Sequence, residues 1–218
     1  MTRTLLKETV VFLTDKAVFL PEHRTLVLSD VHLGKAGTFR ANGIPVPEGD
    51  NARDLARITR LAESTSAQQI VIAGDLIHAR SGLTRDLLSL VNTWARRTSA
   101  NVVLVTGNHD AKALRGEDLG FPTTSSLALG GMHVVHDPAD AAGGNALSIC
   151  GHIHPVVKIR EARSRSVRVP CFWLSDNVLT LPSFGSFTGG YVIKPKAGDQ
   201  VFASLGPKVV EIPQKLVV

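Results

Sequence analysis

The chain has 218 residues, 44% hydrophobic and 20% charged, with 24 Lys and Arg against 19 Asp and Glu. That length supports a sizeable core without demanding two domains, and that balance excludes disordered and fibrous chains. A net charge of +5 permits contact with nucleic acid without requiring it.

In chain order, MTRTLLKETVVFL puts Lys7 and Glu8 where a signal peptide would need its apolar core. No uncharged apolar window of about 18 residues occurs, so a cytoplasmic protein without a membrane span is expected. TLVLS at 25 to 29 reads as a strand, and residues 33 to 50 as a long loop. A helix follows over 51 to 64, with Leu55, Ile58 and Leu61 on one face and Asp50, after Pro47, Glu48 and Gly49, as its N-cap. QIVIA at 69 to 73 is a strand, about 83 to 97 a helix built on Leu87, Leu88, Val91 and Trp94, and NVVLVT at 101 to 106 a strand.

Continuously apolar strands joined by helices imply a buried, largely parallel sheet. After about residue 130 the pattern changes to strands without helices: MHVV, ALSIC, VRVPCFWL, NVLTL and YVI. That implies a second, more antiparallel sheet. The expected fold is an α/β sandwich of two mixed sheets flanked by helices, formed as one domain over 1–218. Cys150 and Cys171 lie in apolar surroundings and read as buried thiols. Three groups of arginines concentrate the positive charge: Arg53, Arg57 and Arg60 at helical spacing, Arg96 with Arg97, and Arg160, Arg163, Arg165 and Arg168. Such runs are solvated faces or phosphate contacts.

Four apolar strands end in polar clusters: Asp30-Val31-His32, Gly74-Asp75 with His78, Gly107-Asn108-His109-Asp110, and Gly151-His152-Ile153-His154. Ligands bind beyond the carboxyl ends of strands in open α/β sheets, so the four clusters should meet at one edge. Residues two apart at a strand end project to one side, pairing Asp30 with His32 and His152 with His154. Asp, His and Asn suit Mn, Fe or Zn, and the absence of nearby Cys argues against structural zinc or an iron–sulfur cluster. Asp30, His32, Asp75, Asn108, His152 and His154 exceed one tetrahedral shell, so two ions are expected with Asp75 able to bridge them. A further histidine is wanted; His136 ends its strand whereas His133 lies within it, which favours His136. Asn108 and Asp110 read alternatively as loop caps.

These clusters, in this order, resemble the signature of the calcineurin-like metallophosphoesterases. SDVHLGKAGTFRANGIPVPEGD and LPSFGSFTGG further resemble the bacterial ligase-associated DNA damage response endonucleases, the manganese-dependent PdeM group. The resemblance implies a two-sheet, four-layer α/β/β/α sandwich with a dinuclear site at the strand ends. It places one ion on Asp30, His32, Asp75 and His154 and the other on Asp75, Asn108, His136 and His152. Many metallophosphoesterases have His-Gly where this chain has His136-Asp137. The resemblance also makes His109 the catalytic histidine that protonates the departing alkoxide. His78 stands where Ser/Thr phosphatases carry Asp and is read as its catalytic partner. Lys35, Phe39 and Arg40 follow the first ligands closely and are candidates for gripping a phosphate and stacking a base. His23 has no metal-like context.

The expected activity is a metal-dependent phosphodiesterase, an endonuclease on single-stranded DNA in bacterial repair, associated with a DNA ligase and helicase through the family resemblance. The alternatives are hydrolysis of a cyclic nucleotide or another small diester, and a non-catalytic scaffold. Retention of His109 and a full ligand set argues against the scaffold.

Overall fold

The computed structural model describes residues 1–46, 49–160 and 166–217. Pro47, Glu48, Arg163 and Arg165 lie outside the described residues.

The first sheet pairs seven strands in chain order: β1 (Thr2–Leu5), β2 (Glu8–Leu13), β3 (Ala17–Leu20), β4 (Thr25–Leu28), β5 (Gln69–Ala73), β6 (Asn101–Val105) and β7 (Thr123–Thr124). The strands β1 to β4 run antiparallel and β4 to β7 parallel. The sheet is therefore mixed rather than largely parallel, because the first twenty residues contribute a meander that the apolar runs did not announce. Alternation explains it: Val10 and Phe12 are buried while their neighbours are half-exposed.

Four α-helices lie among the described residues: α1 (Lys35–Ala41), α2 (Asp50–Thr65), α3 (Arg85–Arg97) and α4 (Asn108–Ala113). The expected loop at 33 to 50 thus contains a helix. Asp50 is not the N-cap of α2; Gly49 takes that place, and Asp50 sits in the first turn, paired with Arg53 and favourably placed against the helix dipole. Thr84 caps α3 by accepting from the Leu87 N–H at 3.2 Å.

The strand pleat sends Leu26, Leu28, Ile70 and Ile72 toward α2 and α3, where they meet Leu55, Ile58, Ala62, Leu87, Val91 and Trp94. It sends Val27, Val71, Ala73 and Val105 to the other face, against the second sheet. Each Val, Leu or Ile side chain among them, fully buried, contributes roughly 1.5–3 kcal/mol.

The second sheet comprises β8 (Leu127–Leu129), β9 (Met132–Val134), β10 (Leu147–Cys150), β11 (Pro155–Arg160), β12 (Ser166–Ser175), β13 (Val178–Thr180), β14 (Tyr191–Val192), β15 (Gln200–Leu205) and β16 (Lys208–Glu211). Its order is β14-β11-β12-β13-β10-β9-β8, with β15 joining β12 to β16. Parallel pairs at β9–β10, β10–β13 and β11–β14 sit among antiparallel ones. Phe12 closes the inter-sheet core, 5.0 Å from the Phe172 ring and 4.6 Å from that of Phe202. The outer face of this sheet carries its own small cluster around Val157, Cys171, Ile193 and Ile212. Cys150 and Cys171 are free, and burial pushes both thiols up to about 12. No helix among the described residues is long and apolar enough to cross a membrane.

Candidate metal centre

The carboxyl ends of β4, β5, β6 and β10 meet at one edge of the sandwich. Past the regular ladder, the Asp30 N–H donates to the Gly74 carbonyl at 3.0 Å and the His32 N–H to that of Asp75 at 2.9 Å. The two chains thus continue side by side, but not as pleated strands. Asp30, His32, Asp75, His152 and His154 all adopt left-handed backbone, with φ of 55°, 52°, 54°, 70° and 53°. Simple strand alternation therefore does not explain why Asp30 and His32, or His152 and His154, face one place; left-handed bends do. Each costs of order 1–3 kcal/mol, and such residues concentrate at functional sites.

Close approach dictates two glycines. A Cβ on Gly74, itself at φ 86°, would lie in the His136 ring, and one on Gly107 would lie in the Asp75 carboxylate. The motif glycines make room for the side chains that converge here.

Two donor groups that contain a carboxylate result, beside a third made of His32, His78 and His109. Asp30, His32 and His154 form one: His154 Nε2 lies 3.0 Å from Asp30 Oδ1 and 3.3 Å from His32 Nε2. Asp75, His136 and His152 form the other, joined by Asn108. His136 Nε2 is 3.4 Å from Asp75 Oδ2, 3.1 Å from Asn108 Oδ1 and 3.2 Å from His152 Nδ1. Asp75 Oδ2 also lies 3.9 Å from His32 Nε2, so this carboxylate stands between the groups. His133 pairs across the ladder with Ser148 and lies in neither.

The donor chemistry fits cations. His136 donates its Nδ1–H to the Ala73 carbonyl at 3.0 Å, which leaves Nε2 facing the cluster. Burial holds His32 neutral, its pKa lowered to about 3. Burial works to lower His136 as well, but the hydrogen bond and charge of Asp75 outweigh it and raise its pKa to about 9. Burial likewise works to raise Asp75, and the hydrogen bond and charge of His136 bring it below the usual carboxylate range. Carboxylate and amide oxygens and imidazole nitrogens thus face one another, an arrangement that positive charge satisfies.

His109 and His78 sit beside the first group. His109 donates Nδ1–H to the His78 carbonyl, and its Nε2 lies 4.0 Å from Asp75 Oδ2. The His78 ring stacks on that of His109 with centroids 5.2 Å apart, and its Nδ1 is 3.4 Å from His32 Nδ1. Burial, then the charge of Lys35, lowers His78 to about 4.

Two carboxylates matter more here than their sequence contexts implied. Asp110 is fully buried and accepts from the backbone N–H groups of Leu76, Ile77 and Gly107, tying the Asp75 turn to α4. It caps the start of α4 through the Gly107 N–H, as its third position in that helix implies, and also braces the Asp75 turn. Asp137 accepts from the Ala139 N–H at 2.9 Å through one oxygen and presents the other 3.8 Å from His152 Nε2.

Of the three expected substrate contacts, Lys35 is half-buried and its charge reaches His78. Phe39 meets the Phe187 ring edge-on at 5.6 Å. Arg40 is exposed and donates to the Val46 carbonyl at 3.3 Å, within its own segment. The basic stripe on α2 is corrected at Arg57, which is committed to the fold: it pairs with Asp54 and Asp15, donates to the Phe184 carbonyl and lies 3.7 Å over the Phe184 ring. Its pKa is lowered by burial.

Against known proteins, the calcineurin-like phosphoesterase family model matches residues 23–176. The crystal structure of Pseudomonas putida nuclease MPE superposes with a TM-score of 0.81 at 30% identity, covering 97% of this chain and 99% of that one. A protein of unknown function from Aquifex aeolicus superposes at a TM-score of 0.40 and 17% identity, over 60% of this chain and 78% of the other. None of the curated proteins matches.

Proposed function

A member of the calcineurin-like phosphoesterase family, this chain is a metal-dependent phosphoesterase, and we propose that it is a dinuclear phosphodiesterase acting on nucleic acid. The observation that carries the reading is Asp75, whose Oδ2 faces His136 at 3.4 Å and His32 at 3.9 Å between two donor groups. Asp30, His32, Asp75 and His154 would hold one ion; Asp75, Asn108, His136 and His152 would hold the other. Divalent ions held there would supply positive charge to the phosphate oxygens and lower the pKa of water so that hydroxide is available to attack phosphorus. Manganese is the metal we favour, with iron or zinc as the competing ions.

The chain's own groups do the rest. His109, fixed through Nδ1 by the His78 carbonyl, keeps Nε2 for a proton given to the departing alkoxide. His78 acts through its neighbours: held neutral, it orients His32 by ring-nitrogen contact and His109 by stacking. Lys35 adds positive charge on the His78 side, with Phe39 one helical turn further along α1. Phe39 and Arg40 complete the substrate-binding set. The solved structure with 30% identity is of a nuclease, which supports a polynucleotide substrate. Single-stranded DNA, cytoplasmic bacterial repair and work beside a DNA ligase and helicase complete the reading.

The test is hydrolysis of a chromogenic phosphodiester and of labelled DNA in manganese, with wild type and His109→Ala side by side. Cleavage of both substrates, with the variant slowed about 10²- to 10⁴-fold, is expected. Diester cleavage with intact DNA would move the substrate to a small diester, and no cleavage in any divalent metal would overturn the assignment.

A further inference from the structure

The chain has few aromatic residues: one Tyr, two Trp and eight Phe. Among the described residues, the aromatic side chains that stand exposed are Phe187, at 39%, and Tyr191, at 65%. Both belong to one short stretch that runs along the candidate metal centre. There the Phe184 N–H donates to the Ser29 carbonyl at 2.9 Å, the Gly185 N–H to that of Asp30 at 3.1 Å, and the Tyr191 N–H to that of His154 at 2.9 Å. Two of those carbonyls belong to candidate ligands.

The stretch is also anchored from behind. Asp54, buried on α2, accepts from the Ser186 N–H at 2.8 Å and from the Ser186 hydroxyl, while Arg57 donates to the Phe184 carbonyl at 2.7 Å. Water-exposed rings on a backbone held this firmly carry little conformational entropy to lose on binding. The Phe187 ring abuts Phe39 at 5.6 Å, and Phe39 lies on the same face of α1 as Lys35. The surface therefore continues from the phosphate-binding side of the site through a cation to aromatic faces.

We propose that Phe187 and Tyr191, with Phe39 packed against Phe187, form a stacking platform for unpaired bases flanking the scissile phosphate. The proposal rests on the phosphodiesterase reading above. Stacking accepts any base and needs its flat face free, a condition that duplex bases do not meet. Lys35, and the ions that the candidate centre would hold, would complement phosphates beside these rings, so the occupant is a polyanion carrying rings rather than an apolar protein segment.

The experiment compares wild type with Phe187→Ala, Phe187→Leu, Tyr191→Ala and Tyr191→Phe in manganese, on a chromogenic phosphodiester, a single-stranded oligonucleotide and its duplex. Removing a ring is expected to lower kcat/KM on the single strand about 5- to 150-fold relative to the chromogenic diester, and to narrow the preference for single over double strand. Phe187→Leu, close in bulk but without a π-face, should behave like the alanine variant, and Tyr191→Phe like wild type. An equal loss on all three substrates, or a leucine variant as good as wild type, would overturn the platform in favour of packing. A wild type that cleaves the diester and neither oligonucleotide would overturn the platform and leave the phosphodiesterase standing; cleavage of nothing would overturn both.

Discussion

The two halves of the candidate centre differ in enclosure. In the half built by Asp30, His32 and His154, Asp30 is fully buried and the His32 side chain is 4% exposed. In the half built by Asn108, His136 and His152, His136 is buried, but Asn108 is exposed and the His152 side chain is 41% exposed. From that difference we expect an ion in the enclosed half to exchange more slowly than one in the open half. Asp75 stands between them, its Oδ2 3.4 Å from His136 Nε2 and 3.9 Å from His32 Nε2.

The sharpest way to break the comparison is to remove what the halves share. Asp75→Asn should lower diester hydrolysis about 10³-fold or more, because it withdraws charge from both ions at once; retention of a tenth of wild-type activity would mean that the halves work independently. Next in size, His154→Ala should lose more bound manganese than His152→Ala when both are dialysed against a graded chelator, and the reverse order would reverse the assignment of tight and open halves. Asp137→Asn keeps the bond from Ala139 and removes the charge facing His152. It should weaken metal affinity about 10-fold in the open half, as loss of an outer carboxylate commonly does, read as a shift in one phase of a metal titration.

The smallest effect lies behind the aromatic stretch, in the charged knot of Asp15, Lys16, Asp54 and Arg57. Burial, then the charge of Arg57, lowers Lys16 from 10.5 to about 8. Between those values the unfolded chain binds a proton that the folded chain does not, so this group adds stability as pH rises from about 8 to about 10.5. Denaturant midpoints of wild type and Lys16→Met, compared across that window, should converge as pH rises; parallel curves would show that Lys16 titrates alike in both states.

The four polar clusters were legible because their chemistry is carried by residue type: Asp, His and Asn at the ends of aliphatic runs announce a site whatever the backbone does. Their left-handed conformations were not, since Asp and His are enriched at positive φ only against a rate of a few per cent, and the geometry is imposed by paired loops from distant strands. The meander at residues 2 to 20 was hidden by short strands broken with charges, and α1 by its brevity and by Gly37. Arg57 read as part of a solvated stripe because its partners, Asp15 and the Phe184 carbonyl, come from elsewhere in the chain. Asp110 looked like a turn residue, although burial and three backbone donors make it a brace.

The measurement that bears most directly on the dinuclear account is a manganese titration of chelator-stripped protein, following bound metal and phosphodiester hydrolysis in the same samples. Two ions per chain are expected, bound in two phases, with hydrolysis rising alongside the second. Full activity with one ion per chain, or two ions bound without hydrolysis of any diester, would contradict it.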